Sequence, residues 1–256
     1  MLVTDSSESM YREYVLKEVE FTHSSAVDEV RVLASLRHPF IVSFREAFET
    51  HTLPRRLCIV MQFADQGDLA GKIKLVKASP SPRLCVSFSI RCLSQISLAL
   101  EYMHRKGIIY RDLKPSNVLL RSADRVVLAD FGISRVLENE TFACTHLATP
   151  FYMSPEQSLG RPHTTAADIW ALGVLIFELS TLRVPFEGGT LKNLLSRIAT
   201  APIPPLPNNC NADLRKLYGQ CMQRDFTKRP SAGEVLKNAT LRLAMLQLAD
   251  QLKALF

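Results

Sequence analysis

The chain has 256 residues, 47% of them hydrophobic and 22% charged, with a formal net charge of +6 and a pI of about 9.1. This balance excludes a disordered chain, and no apolar run reaches the roughly 18–20 residues that cross a bilayer. The Lys and Arg residues are scattered, without a basic run or an aromatic-basic ladder, so the excess charge reads as a solvated surface and not as a nucleic-acid interface.

The opening residues carry Asp5, Glu8 and serines instead of a basic and then apolar leader, so no signal peptide is expected. YVLKEV (14–19) reads as a strand with one lysine inside it. AVDEVRVLASL (26–36) has helical spacing in Val27, Val30, Leu33 and Leu36. IVSFREAF (41–48) and RLCIVMQF (56–63) are further strands. After QFADQGDL the texture changes. A long helix is predicted over 84–106, with Leu93, Ile96, Leu100 and Met103 on one face and Gly107 as its stop. Short strands follow around 118–120 and 126–129. TAADIWALGVLIFELSTL (165–182) is apolar on nearly every side, which predicts a central buried helix. APIPPLPNN (201–209) is a loop, and residues 241–256 are helical again. The pattern predicts an α+β chain of two lobes: a small sheet-rich lobe (1–61), a join (62–67) and a larger helical lobe (68–240), with a helical tail (241–256). A cleft between lobes is where a ligand binds. None of the six cysteines sits in a CxxC pair. They read as buried reduced thiols of a cytosolic or nuclear protein, except Cys144 in a loop.

A short polar turn, YRDLKPSN (110–117), lies between apolar runs. Asp112 can accept a proton or orient a hydroxyl, Lys114 can neutralise a phosphate, and Asn117 offers an oxygen to a hard cation such as magnesium. Downstream, LADFGIS (128–134) supplies a second carboxylate, Asp130. Upstream, Lys17 lies inside an apolar strand, where an unpaired ammonium is expensive, and Glu29 on the next helix is its expected partner. Together these residues describe a site for magnesium and a polyphosphate beside a hydroxyl base.

Taken in order over nearly the whole chain, these motifs resemble the eukaryotic protein kinases. The resemblance implies ATP and Mg2+ as cofactors and a two-lobed kinase fold. YVLK (14–17) is similar to V-A-I-K, so Lys17 would hold the α- and β-phosphates and pair with Glu29. YRDLKPSN is similar to H-R-D-L-x-x-x-N, so Asp112 would be the catalytic base, and Asn117 and Asp130 the magnesium ligands. Met61 resembles the gatekeeper. The hinge residues Gln62, Phe63 and Ala64 follow, with the backbone of Gln62 and Ala64 meeting the adenine, and Asp68 and Leu119 complete the nucleotide site. SPE (154–156) resembles A-P-E, with Glu156 paired to Arg229. DIWALG (168–173) resembles D-x-W-x-x-G, with Asp168 bracing the catalytic loop. Lys114 in D-L-K-P-S-N is similar to the serine/threonine group, and Thr149 in ATPFY would contact both Asp112 and Lys114. VMQFADQGDLAGKI and TFACTHLATPFYMSPEQ resemble the NIMA-related kinases. In that family a threonine matching Thr145 is phosphorylated, here by an activating kinase or by autophosphorylation, so that its charge faces Arg111 and orders the loop. The implied partners are protein substrates with Ser/Thr acceptors, with no nucleic acid and no membrane. The implied location is cytoplasmic, alongside nuclear and ciliary members of the family.

Some positions depart from the family pattern. Counting back from Lys17, Met1 falls after the place of the usual G-x-G-x-x-G hairpin, and no glycine precedes Gly67. An N-terminally incomplete domain is therefore expected, with no first strand, no phosphate lid, a bare sheet edge and weakened ATP binding. Tyr110 replaces the usual histidine, Ala148 replaces the glycine of G-T-P, and the segment from Lys17 to Glu29 is short. One reading is an active serine/threonine kinase, because Lys17, Asp112, Asn117 and Asp130 are all present. The alternative is a catalytically weak or inactive kinase-fold scaffold, because the lid is missing. Phosphate transfer that requires Asp112 separates them. In the tail, Leu241, Leu243, Leu246, Leu248 and Leu252 also fit the start of a coiled coil, but packing on the larger lobe is the expected arrangement.

Overall fold

The computed structural model of the chain describes residues 2–5, 12–20, 24–50, 55–122, 124–131, 135–136 and 150–253. The fold is α+β with two lobes. The smaller holds an antiparallel sheet of β1 (Leu2–Asp5), β2 (Arg12–Glu20), β3 (Phe44–Glu49) and β4 (Arg56–Gln62) in the order β1-β2-β4-β3. β4 is the central strand, and Leu57, Cys58, Ile59 and Val60 are all buried in it. Helix α1 (Ser24–Ser35) packs on the sheet near β3, burying Val32, Leu33 and, just past its end, Leu36. The bare edge expected along the lysine strand is covered in part, over Arg12–Val15. β1 pairs with β2 from Leu2↔Val15 to Asp5↔Arg12, so β1 is the edge strand.

The larger lobe contains α2 (Leu69–Lys77), α3 (Val86–Arg105), β5 (Ile108–Ile109), β6 (Val118–Arg121), β7 (Arg125–Leu128), β8 (Arg135–Val136), α4 (Pro155–Ser158), α5 (Ala166–Thr181), α6 (Leu191–Thr200), α7 (Ala212–Cys221), α8 (Ala232–Val235) and α9 (Ala239–Lys253). The predicted face of α3 is its buried face. Leu93, Ile96, Leu100 and Met103 are fully buried, each worth up to about 1.5–3 kcal/mol of burial. Gly107 ends the helix at φ +70°, a left-handed conformation that a side chain resists. In α5 every residue from Ala167 to Leu179 is buried. Its Gly173 marks a close approach to α7, because a methyl there would meet Met222 Sδ at 2.8 Å and Cys221 Cβ at 2.9 Å. The tail helix α9 packs on α3 through Leu241, Ala244 and Leu248, while Leu243 and Leu246 stay exposed. Helices α2, α6, α7 and α8 and strand β1 are additions to the sequence reading. Cys58, Cys92 and Cys221 are buried as expected, but Cys85 is exposed and Cys210 only half-buried.

One ion pair ties the larger lobe together. Arg229 donates from Nη1 to Glu156 Oε1 at 2.6 Å and from Nη2 to Glu156 Oε2 at 2.7 Å, with the guanidinium side chain wholly buried. Its remaining donors reach Gln223 O at 2.7 Å and Ala166 O at 2.9 Å, and its plane lies 5.1 Å over the Trp170 ring. Burial alone would raise the Glu156 carboxyl pKa, but the hydrogen bonds and charge of Arg229 outweigh it and hold the pKa below its ordinary value.

Glu156→Gln leaves a buried guanidinium with no counter-charge, and urea unfolding at neutral pH should show a loss of about 3–5 kcal/mol. Because the folded carboxyl pKa is depressed, the pair stabilises above the ordinary glutamate value and loses this effect as pH falls through the lower one. The gap between variant and parent should therefore narrow in acid; a gap that is small at neutral pH or constant with pH would contradict this account.

Candidate active site

The polar turn is positioned from the core outward. α3 ends, β5 runs through the buried Ile108 and Ile109, and the chain enters the loop at Tyr110. Asp168, in the first turn of α5 and 1% exposed, holds that entry. Its Oδ2 accepts from the Tyr110 N–H at 2.9 Å and from His104 Nε2 at 2.8 Å, and its Oδ1 accepts from the Arg111 N–H at 2.8 Å. Arg111 sits at φ +72°, a strained conformation for a non-glycine residue, of order 1–3 kcal/mol, which these bonds maintain.

Asp112 follows directly. Its Oδ2 accepts from Lys114 Nζ at 2.7 Å and from Asn117 Nδ2 at 2.7 Å, and its backbone carbonyl accepts from Asn117 Nδ2 at 2.9 Å. The carboxylate is thereby fixed by one cation and one amide. The single turn Pro115–Asn117 then leads into β6. β6 and β7 pair from Val118↔Leu128 to Arg121↔Arg125, and the Ala129 N–H donates to Asn117 O at 3.0 Å. A hairpin thus brings Asn117 and Asp130, far apart in sequence, to adjacent ends of neighbouring strands. Asp130, at φ +58°, accepts from Lys17 Nζ at 2.9 Å through Oδ1. Asn117 turns its amide nitrogen to Asp112, and its oxygen is the atom that suits a hard cation. With the half-exposed Asp130 carboxylate it makes an oxygen donor set that fits magnesium.

Tyr110 is fully buried, its hydroxyl donates to Ala129 O, and its ring meets Phe131 edge-on at 5.3 Å. Burial, reinforced by the nearby carboxylates, pushes the phenol pKa well above its ordinary value. On the other side of the cleft stand Met61 at the end of β4 and Ala64 beyond it. Ala64 is buried, and its N–H finds no partner among the described residues, which is the condition of a backbone donor facing a ligand. Asp68 accepts the Gly71 N–H at 2.7 Å as the N-cap of α2, and its backbone forms a bridge with Leu119.

The structure therefore brings together Lys17, Asp112, Lys114, Asn117 and Asp130 in one cleft region, with Asp168 behind them. Glu156 and Arg229 lie apart, as a brace of the larger lobe. The side chain of Glu29 and residues Thr145 and Thr149 lie outside the described residues, as do Cys144 and Ala148. His104 was missed by the sequence reading, since nothing at the end of α3 marks it. The reach of the Tyr110 hydroxyl to Ala129 was missed for the same reason.

A model of the protein kinase domain matches residues 7–240 of the chain. Mouse (Mus musculus) serine/threonine-protein kinase Nek1 is 37% identical over 233 residues, 88% of this chain and 19% of that protein. Mouse serine/threonine-protein kinase Nek3 is 35% identical over 238 residues, covering 91% of this chain and 45% of that protein. Human (Homo sapiens) serine/threonine-protein kinase Nek5 is 36% identical over 239 residues, covering 89% and 32%. The chain thus spans less than half the length of each of these relatives.

Asp168→Asn replaces two accepting oxygens by one, so at least one of the Tyr110, Arg111 and His104 donors loses its partner. The variant should lose about 1–3 kcal/mol of stability. Hydrogen exchange should accelerate at the Tyr110 and Arg111 amides well before it does in the middle of α3; uniform acceleration would mean that Asp168 supports the lobe in general and not this loop.

Proposed function

Because the chain belongs to the protein kinase family, we propose that it transfers the γ-phosphoryl group of ATP to serine and threonine hydroxyls of protein substrates. The observation that carries this reading is the Asp112 carboxylate, held by Lys114 and Asn117 on a loop that Asp168 fixes to the buried helix.

In this reading Asp112 accepts the proton of the acceptor hydroxyl. Lys114, already against Asp112, offers positive charge where the transferred phosphoryl group becomes more negative. Asn117 and Asp130 hold Mg2+, which neutralises phosphate charge when bound. Lys17, on the lysine strand, binds the α- and β-phosphates, and Glu29 steadies it. Met61 bounds the adenine pocket, the backbone of Gln62 and Ala64 binds the adenine, and Asp68 and Leu119 complete the nucleotide site. Thr149 supports the base and Lys114. Thr145 is the activating phosphosite, its phosphate paired with Arg111. The kinase domain spans residues 1–240 with its hinge at 62–67, and residues 241–256 form a tail. The chain acts in the cytoplasm, with the nucleus and cilium as the alternatives the family offers. No helix among the described residues is long and apolar enough to cross a membrane.

Radiolabel transfer from Mg-ATP to a generic protein substrate, with Asp112→Asn alongside, tests the proposal. The variant should fold normally and lose about 10²–10⁴-fold in kcat, the usual contribution of a positioned base. Equal transfer by both proteins, or none from the folded parent, would overturn it.

A further inference from the structure

The connection from α2 to α3 reads S-P-S-P-R over residues 79–83. Its two serines have different environments. Ser79 is engaged: its hydroxyl donates to Val76 O at 2.7 Å and its N–H to the same carbonyl at 3.1 Å, closing the end of α2. Ser81 is exposed, as are Pro80, Pro82 and Arg83 around it. No hydrogen bond engages the Ser81 hydroxyl among the described residues. Leu84 then returns to the core and anchors the far end. The loop is thus a short projection fixed at Ser79 and Leu84, with one free hydroxyl at its crest.

Two further features fit Ser81 to a particular modifying chemistry. Pro82 disfavours helical backbone at Ser81 and biases it toward the extended form in which a substrate strand lies across an enzyme cleft, while residues 79–81 trace a bend in the free chain. Pro82 also has no N–H, so a cleft that offers no acceptor at the following position leaves nothing unpaired. The surrounding charge favours an anion: residues 69–85 contain Lys72, Lys74, Lys77 and Arg83 and no carboxylate. Lys72, Lys74, Lys77 and Arg83 are exposed on the surface. The remaining described serine-proline pair, Ser154–Pro155, is unsuited, because Ser154 is fully buried and caps α4.

We infer that Ser81 is a phosphorylation site for a proline-directed serine/threonine kinase, a separate enzyme acting on this chain with its own ATP. The bond from Ser81 Oγ to the γ-phosphorus forms as the bond from that phosphorus to the departing ADP oxygen breaks. The hydroxyl proton passes to the carboxylate base of the modifying enzyme. The product places close to two negative charges on a connection whose flanking segment, residues 69–85, carries four cations and no carboxylate.

The test uses the full chain carrying Asp112→Asn, to suppress its own transfer, incubated with Mg-ATP and a purified proline-directed kinase. Label taken up without added kinase is subtracted. Fragment mass spectrometry should place one phosphate on Ser81. Ser81→Ala and Pro82→Ala should each lower the initial rate by about tenfold or more, and Ser79→Ala should leave it within about twofold. Phosphate on Ser79 or Thr149 instead, or no effect of Pro82→Ala, overturns the assignment. So does a folded chain that takes no phosphate while a peptide of residues 76–86 does, since the loop would then be closed to the enzyme.

Discussion

A carboxylate buried at the start of an apolar helix governs this molecule. Asp168 is nearly inaccessible, and an unpartnered charge there would be prohibitive. Three donors and the positive end of α5 offset that penalty. The arrangement links the buried helix α5 to a loop that holds Arg111 at positive φ. α5 is packed on all sides and does not shift easily, so a turn bonded to its first residues keeps a conformation it would not hold alone. The second brace acts at the same place: Arg229, paired with Glu156, also bonds Ala166 O and covers the Trp170 ring. The first turn of α5 is therefore held from both sides, and Asp112 inherits that rigidity two residues beyond Tyr110.

The β6–β7 hairpin transmits the order to the other half of the cleft. It is held along both edges by the smaller lobe and the join. On the β6 side the Gln66 N–H donates to Leu120 O at 3.1 Å and the Leu120 N–H to Gly67 O at 2.8 Å. On the β7 side the Val42 N–H donates to Leu128 O at 2.9 Å and the Leu128 N–H to Phe40 O at 2.9 Å. Asn117 and Asp130 flank this clamped hairpin, so their spacing is set by strand register and not by loop conformation. The Lys17–Asp130 bond, by contrast, is partly exposed, and by itself an ion pair of that kind contributes little to stability. Its value is in joining the lysine strand to the hairpin across the cleft.

The parts of the site readable in the sequence are those whose geometry is local or whose chemistry is costly elsewhere. Asp112, Lys114 and Asn117 fall within one turn, and a lysine in an apolar strand announces a partner. The expected partner, Glu29, has its side chain outside the described residues, and a second partner was not legible: Asp130 is 113 positions away, and only the assembled hairpin brings it to Lys17. The long helices α3 and α5 were legible because many apolar positions agree. The short ones were not, although their caps were present: Asp68 before α2, Thr190 before α6 and Asn211 before α7 each accept a backbone N–H. β1, four residues with Leu2 exposed, has too little pattern to declare itself, and its strand character comes from pairing with β2.

Tyr110 stands where the family pattern has histidine. Here the position presents a flat side chain to Phe131 and a donor to the backbone before Asp130. The tyrosine ring provides the first and its hydroxyl the second, by bonding Ala129 O. The two side chains differ in titration. An imidazole changes charge near pH 6.5, whereas the buried phenol has its pKa pushed further up and stays a neutral donor throughout the working range. The bond that holds Ala129, and through it the backbone of Asp130, is therefore insensitive to pH.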